Sequence, residues 1–124
     1  MFLYVGIFIF GFAAISLWNF YSVIRPPKIE IPLTPSDFGL TEEVVSINTS
    51  DGLKLSAWLF ENIETKKKKR AIIILHGYPA DKRDMLSFAA SLHSDFTVLV
   101  SDLRYFGESE GAYTTLGIKE RGDV

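Results

Sequence analysis

Ala71-Ile72-Ile73-Ile74-Leu75-His76-Gly77-Tyr78 is the stretch that decides the fold. Its apolar residues run without a break from Arg70 to His76-Gly77. A continuous rather than alternating run of this kind implies a strand buried on both faces, as in the centre of a parallel sheet. Downstream, residues 84–93 place Met85, Phe88, Ala89 and Leu92 at helical spacing, with Asp81 or Asp84 as the cap. Residues 96–100 form a second apolar run, ending at Ser101-Asp102. Strand, helix and strand in this length make a βαβ crossover, right-handed and with parallel strands. Ligand chemistry in such sheets gathers at the carboxyl ends of the strands. His76-Gly77-Tyr78 and Asp102-Leu103-Arg104 both lie there.

Upstream, Glu43–Asn48 and residues 53–60 read as strands, and Ser50-Asp51-Gly52 between them supplies residues that tolerate positive φ. The pair is expected to form a β-hairpin. Residues 61–70 are polar and end in Lys66-Lys67-Lys68-Lys69-Arg70. Such a run can meet anionic lipid or mimic a nuclear signal. The preferred reading is a solvated loop tip that keeps a strand edge soluble. Net charge is −2 over 124 residues and no aromatics interleave the lysines, so no nucleic-acid partner is expected.

Phe2–Ile24 contains no charge. At ~1.5 Å per residue such a helix is long enough for a ~30 Å hydrocarbon core. Trp18, Phe20 and Tyr21 sit near one end, Arg25 and Lys28 follow, and Pro26-Pro27 stops the helix. A cleaved signal peptide is the main alternative, with Ala14-Ile15-Ser16 as its site, but no basic residue precedes the run and the run continues past that site. A buried soluble helix is the third option. The expected layout is a transmembrane helix over 2–24, a Pro-rich linker over 25–38 and a soluble part over 39–124. The partner of the first is the lipid bilayer, and the flanking cations place the soluble part in the cytoplasm. The absence of cysteine excludes disulfides and thiolate metal sites.

Gly107-Glu108-Ser109-Glu110-Gly111 spells G-x-S-x-G, the pattern of a nucleophile elbow. That pattern has meaning where a buried strand turns into a helix, with an acid and then a histidine further along. Here the strand pattern ends earlier, a Tyr-Thr-Thr stretch follows, and both His76 and His93 lie upstream. Ser109 is therefore expected not to be a nucleophile, and no catalytic residue is assigned. His93 ends the amphipathic segment and suits its dipole. Asp102 and Arg104, two apart at a strand end, could form a loop-fixing ion pair or contact substrate, and fixing the loop is the preferred reading. No metal spacing is present among Asp81, Asp84 and Asp102, and no cofactor is implied.

The hairpin with Asp51-Gly52-Leu53-Lys54-Leu55, then Ile-Ile-Leu-His76-Gly77-Tyr78, then Asp102-Leu103-Arg104-Tyr105-Phe106-Gly107-Glu108-Ser109 resembles the first half of an α/β-hydrolase. It is most similar to the membrane-anchored branch of that superfamily, which holds serine esterases, thioesterases and peptidases. The resemblance implies an α/β fold with an incomplete hydrolase sheet, hairpin plus one βαβ crossover, behind one transmembrane helix. It makes the Tyr78 N–H an oxyanion-hole donor, worth ~3 kcal/mol for one such donor, and Gly77 the residue that lets backbone approach substrate. His76, Asp102, Arg104, Gly107 and Ser109 become loop-structuring residues, His76 by hydrogen bonding. It also implies that residues 117–124 open a helix and that nucleophile, acid and base all lie beyond them. The chain would then be inactive alone, completed by a C-terminal hydrolase half encoded separately. The alternative is a non-catalytic membrane-tethered interaction module or a decayed gene product. In either case the apolar 71–75 strand would be left as an open edge.

Overall fold

The computed structural model describes residues 2–61, 64, 67 and 70–123. Helix α1 spans Phe2–Ile24 and is long and apolar enough to cross a membrane by length and composition. From Leu3 its side chains are almost all exposed. Residues 25–34 run extended to a 3-10 turn at Pro35–Phe38. Thr34 closes that turn, its N–H and Oγ1 each donating to Asp37 Oδ2 at 2.8 Å. These bonds hold the Asp37 carboxyl below its ordinary pKa. The segment is no free spacer, because Pro26 is buried and Leu33 and Phe38 pack against the core.

Strands β1 (Glu43–Asn48) and β2 (Lys54–Phe60) pair antiparallel. Their turn is held by Thr49, whose Oγ1 accepts from Leu53 N–H at 3.0 Å and donates to Asp51 at 2.6 Å. Strand β3 (Ala71–Leu75) leads through a 3-10 turn, Lys82–Met85, into helix α2 (Leu86–Leu92), and β4 (Thr97–Ser101) follows. β3 and β4 are parallel, as a crossover requires, and β2 meets β4 antiparallel. The sheet order is β1-β2-β4-β3.

The main core cluster lies on one face of this sheet, while Leu55 and Ala57 of β2 are buried on the other. Trp58 and Phe60 from β2, Val98 and Val100 from β4, and Leu86 and Ala89 from α2 bury together with Leu40. Leu33, Phe38 and Ile74 pack around them.

The structure differs from expectation at β3 and at the start of α2. β3 is not buried on both faces: Ile73 is 54% and Leu75 39% exposed. Ile74 packs against the core, while Ile73 and Leu75 on the opposite face line an open hollow with Leu99 and Asp123. Residues 117–123 form a turn and a 3-10 segment, Glu120–Gly122, with Lys119 and Asp123 on either side in the right-handed helical region. The helix expected over 84–93 starts as the 3-10 turn, capped by Asp81, which accepts Arg83 N–H at 2.8 Å. Of the basic run, Lys66, Lys68 and Lys69 lie outside the described residues; Lys67 forms an exposed pair with Glu64 at 3.1 Å.

Candidate functional site

The loops at the carboxyl ends of β3 and β4 meet. His76, buried directly after β3, accepts Leu103 N–H on Nε2 at 3.0 Å and lies 3.0 Å from Gly77 O through Nδ1. With Nε2 accepting, Nδ1 carries the proton and donates to Gly77. Both nitrogens are committed to backbone, and the ring stands edge-on to Phe106 at 5.3 Å. Tyr78 is half exposed, also edge-on to Phe106, with its hydroxyl donating to Val23 O at 3.0 Å. The Tyr78 N–H donates to no acceptor among the described residues. A Cβ on Gly77 would meet open space.

Asp102 is fully buried at the end of β4, and its partner is Lys82. Oδ1 accepts Lys82 N–H at 2.7 Å, while Oδ2 accepts Lys82 Nζ at 2.6 Å and Glu108 N–H at 2.9 Å. Lys82 is itself fully buried. Its three ammonium hydrogens go to Asp102, to Glu108 Oε2 at 2.8 Å and to Ser56 Oγ at 3.0 Å, and the Trp58 ring lies 4.7 Å away. The Lys82 hydrogen bond holds the Glu108 carboxyl below its ordinary pKa despite partial burial. Gly107, at φ 51°, passes so close that a Cβ would stand 2.3 Å from Asp102 Oδ2.

The expected Asp102–Arg104 ion pair is not formed. Arg104 turns to other partners: Nε reaches Asp123 Oδ2 at 2.8 Å, Nη2 reaches Asp123 Oδ1, and Nη1 reaches Asp51 Oδ2 at 3.0 Å. Asp51 is held far below the carboxylate range by Arg104 first and Thr49 second, and Arg104 is raised further by Asp123 and Asp51. Each residue finds its counter-charge on a distant segment, so sequence adjacency gives the wrong pair.

Ser109 is buried, with Oγ donating to Asp102 O and accepting Ser56 N–H, both at 2.9 Å. Beside it Glu110 N–H donates to Lys54 O at 2.9 Å, and Lys54 N–H returns to Glu110 Oε2 at 2.8 Å. The G-x-S-x-G stretch thus lines up along the start of β2 instead of turning into a helix. Among the described residues no three His, Asp or Glu side chains converge as a metal site.

His76, Gly77 and Tyr78 are therefore brought against Leu103 and Phe106, with Asp102 behind them. Arg104 and Ser109 brace the loop from other sides. Sequence reasoning missed Lys82, Glu108, Asp51, Asp123 and Glu120. One signal existed for Lys82: an acid at the end of a buried strand needs a cation, and Asp81-Lys82-Arg83 precedes the crossover helix.

No protein-family model and no curated protein matches the sequence. Among solved structures, an esterase of Pyrococcus furiosus is similar at 33% identity and a TM-score of 0.71, over 82% of this chain and 38% of the esterase. An α/β hydrolase of Novosphingobium aromaticivorans is similar at 25% identity and a TM-score of 0.53, over 66% of this chain and 29% of that one. This chain thus spans well under half the length of either. Strand order, crossover and these likenesses together support the α/β-hydrolase superfamily, of which the chain carries a four-stranded part of the sheet.

Proposed function

We propose that the chain is the N-terminal part of a membrane-anchored serine hydrolase, with esterase, thioesterase or peptidase chemistry. It supplies the oxyanion side of the site and not the nucleophile. One observation carries this: the Ser109 hydroxyl and both His76 nitrogens are already bonded to backbone. An activated serine needs a general base within hydrogen-bond reach, and among the described residues Ser109 has none. The Tyr78 N–H, by contrast, stays available at the carboxyl end of β3, where a fixed amide stabilises a developing oxyanion. The length and composition of α1 support an anchor, and Arg25 and Lys28 after it favour a cytoplasmic soluble part by the positive-inside rule.

The nucleophile, acid and base then belong to a C-terminal hydrolase segment, and the open β3 edge is where its next strand would pair. A second reading, a membrane-tethered interaction module, is favoured by the same exposed Ile73 and Leu75. A fluorophosphonate probe on the detergent-solubilised chain tests the proposal. No label on Ser109 is expected, and the Ser109→Ala variant should match the native chain. Label on Ser109 overturns the assignment. A labelled polypeptide that co-purifies with the chain, and is lost in Ile73→Pro, supports the split hydrolase over the module.

A further inference from the structure

The end of α1 does not run free into solvent. A helix leaves its last four carbonyls without internal partners, and here the soluble part supplies two of them. Val23 O accepts the Tyr78 hydroxyl and Ile24 O accepts Thr114 N–H, both at 3.0 Å. The chain that follows is held as well. Pro26 is buried, with its carbonyl accepting the Tyr105 hydroxyl, and Lys28 Nζ donates to Gly107 O at 3.0 Å, 5.5 Å from the Tyr105 ring. The grip comes from three separate segments: the loop after β3, the loop after β4, and residues 111–115.

This fixes a depth. The 23 residues of α1, at ~1.5 Å each, are about as long as the hydrocarbon layer is thick. Val23 and Ile24 then stand at its edge, and whatever bonds directly to their carbonyls stands at headgroup level. The groups around this exit suit that level. Tyr21, Tyr78 and Tyr113 are each close to half exposed, and tyrosine favours the interface because one end is apolar and the other wet. Arg25 and Lys28 add charge that anionic headgroups attract.

We propose that these three segments form a collar that seats on the bilayer around the exit of α1, its occupant being the headgroup layer of the membrane α1 crosses. The loop carrying Gly77 and Tyr78 then opens at that layer, not at the end of a flexible tether. The collar rests on the anchor reading and is independent of the hydrolase chemistry.

The chain has no cysteine, so single labels are unambiguous. The full chain is reconstituted in phosphatidylcholine–phosphatidylglycerol vesicles with an environment-sensitive fluorophore on Ala13→Cys, Tyr113→Cys or Ser94→Cys. Ser94 is exposed and precedes β4, at the opposite end of the sheet from the collar. Nitroxide lipids labelled on the headgroup or deep in the acyl chain serve as quenchers. Position 13 should be quenched by the deep nitroxide, and position 113 by the headgroup nitroxide several-fold more than position 94. Equal quenching at 113 and 94, with 13 still quenched, overturns the collar and leaves the anchor standing. No quenching at 13 overturns both. Combining Tyr78→Phe with Tyr105→Phe removes two of the grips and should bring position 113 toward position 94 while leaving 13 unchanged. Undiminished quenching in that variant overturns the grip.

Discussion

Lys82 is a charged side chain with no exposure at all, held by Asp102, Glu108 and Ser56 under the Trp58 ring. Exposed pairs contribute at most ~1 kcal/mol. Removing one partner of a buried pair costs about 3–5 kcal/mol, because the other charge is left uncompensated. Lys82→Met should therefore raise the rate of limited proteolysis at low protease, where cleavage follows the opened fraction, by roughly a hundredfold to a few thousandfold. Lys82→Met combined with Asp102→Leu should recover much of the loss, and a single variant as resistant as the native chain would refute this account. Gly107 and Gly77 make a second contrast. An added Cβ at Gly107 strikes the Asp102 carboxylate at positive φ, whereas at Gly77 it enters open space. Gly107→Ala should destabilise by at least the ~1–3 kcal/mol of backbone strain alone, and Gly77→Ala should leave protection of the 102–110 amides unchanged by hydrogen exchange.

At the scale of elements, the 114–120 segment is built around one carboxylate. Glu120 accepts Thr114 Oγ1 at 2.9 Å, Thr115 N–H at 2.7 Å, Thr115 Oγ1 and Gly117 N–H at 2.9 Å. Burial by itself raises its pKa, but these bonds outweigh burial and hold it at about 2 against an ordinary 4.5. A depressed pKa means that the charged form belongs to the folded state. Its contribution is full above pH ~4.5 and is lost as pH falls towards 2. Amide protection at Thr115 and Gly117 should fall through that window, and Glu120→Gln should flatten the dependence. An unchanged pH profile in that variant would remove Glu120 as the cause. The carboxylate draws its donors into a turn that periodicity along the chain does not reveal.

At the scale of the whole molecule, the main hydrophobic cluster is one-sided. α2 and the 33–40 strap cover one face, while Ile73 and Leu75 lie open on the other. Cutting the chain at residue 39 would also remove Leu33 and Phe38 from the covered face. Residues 39–124 alone should therefore not unfold cooperatively, since so small a core with an exposed apolar edge is marginal. A sharp thermal transition with native-like near-UV dichroism would contradict this. Much of the architecture was legible beforehand because it is written in local periodicity. Ala71–Leu75 begins and ends where its apolar run does, and the Ser50-Asp51-Gly52 turn joins its two strands. The unbroken apolar run of β3 predicts two covered faces, whereas Ile73 and Leu75 lie open on one of them. By itself, then, the sequence determined the strands, their hairpin and the crossover, since each depends on neighbours along the chain. Only the tertiary structure decided that Lys82 answers Asp102, that Arg104 ties Asp51 to Asp123, and that the site loops grip the end of α1. Those pairings join segments tens of residues apart, and charge complementarity alone does not select among several acids and bases until the sheet has brought one pair into contact.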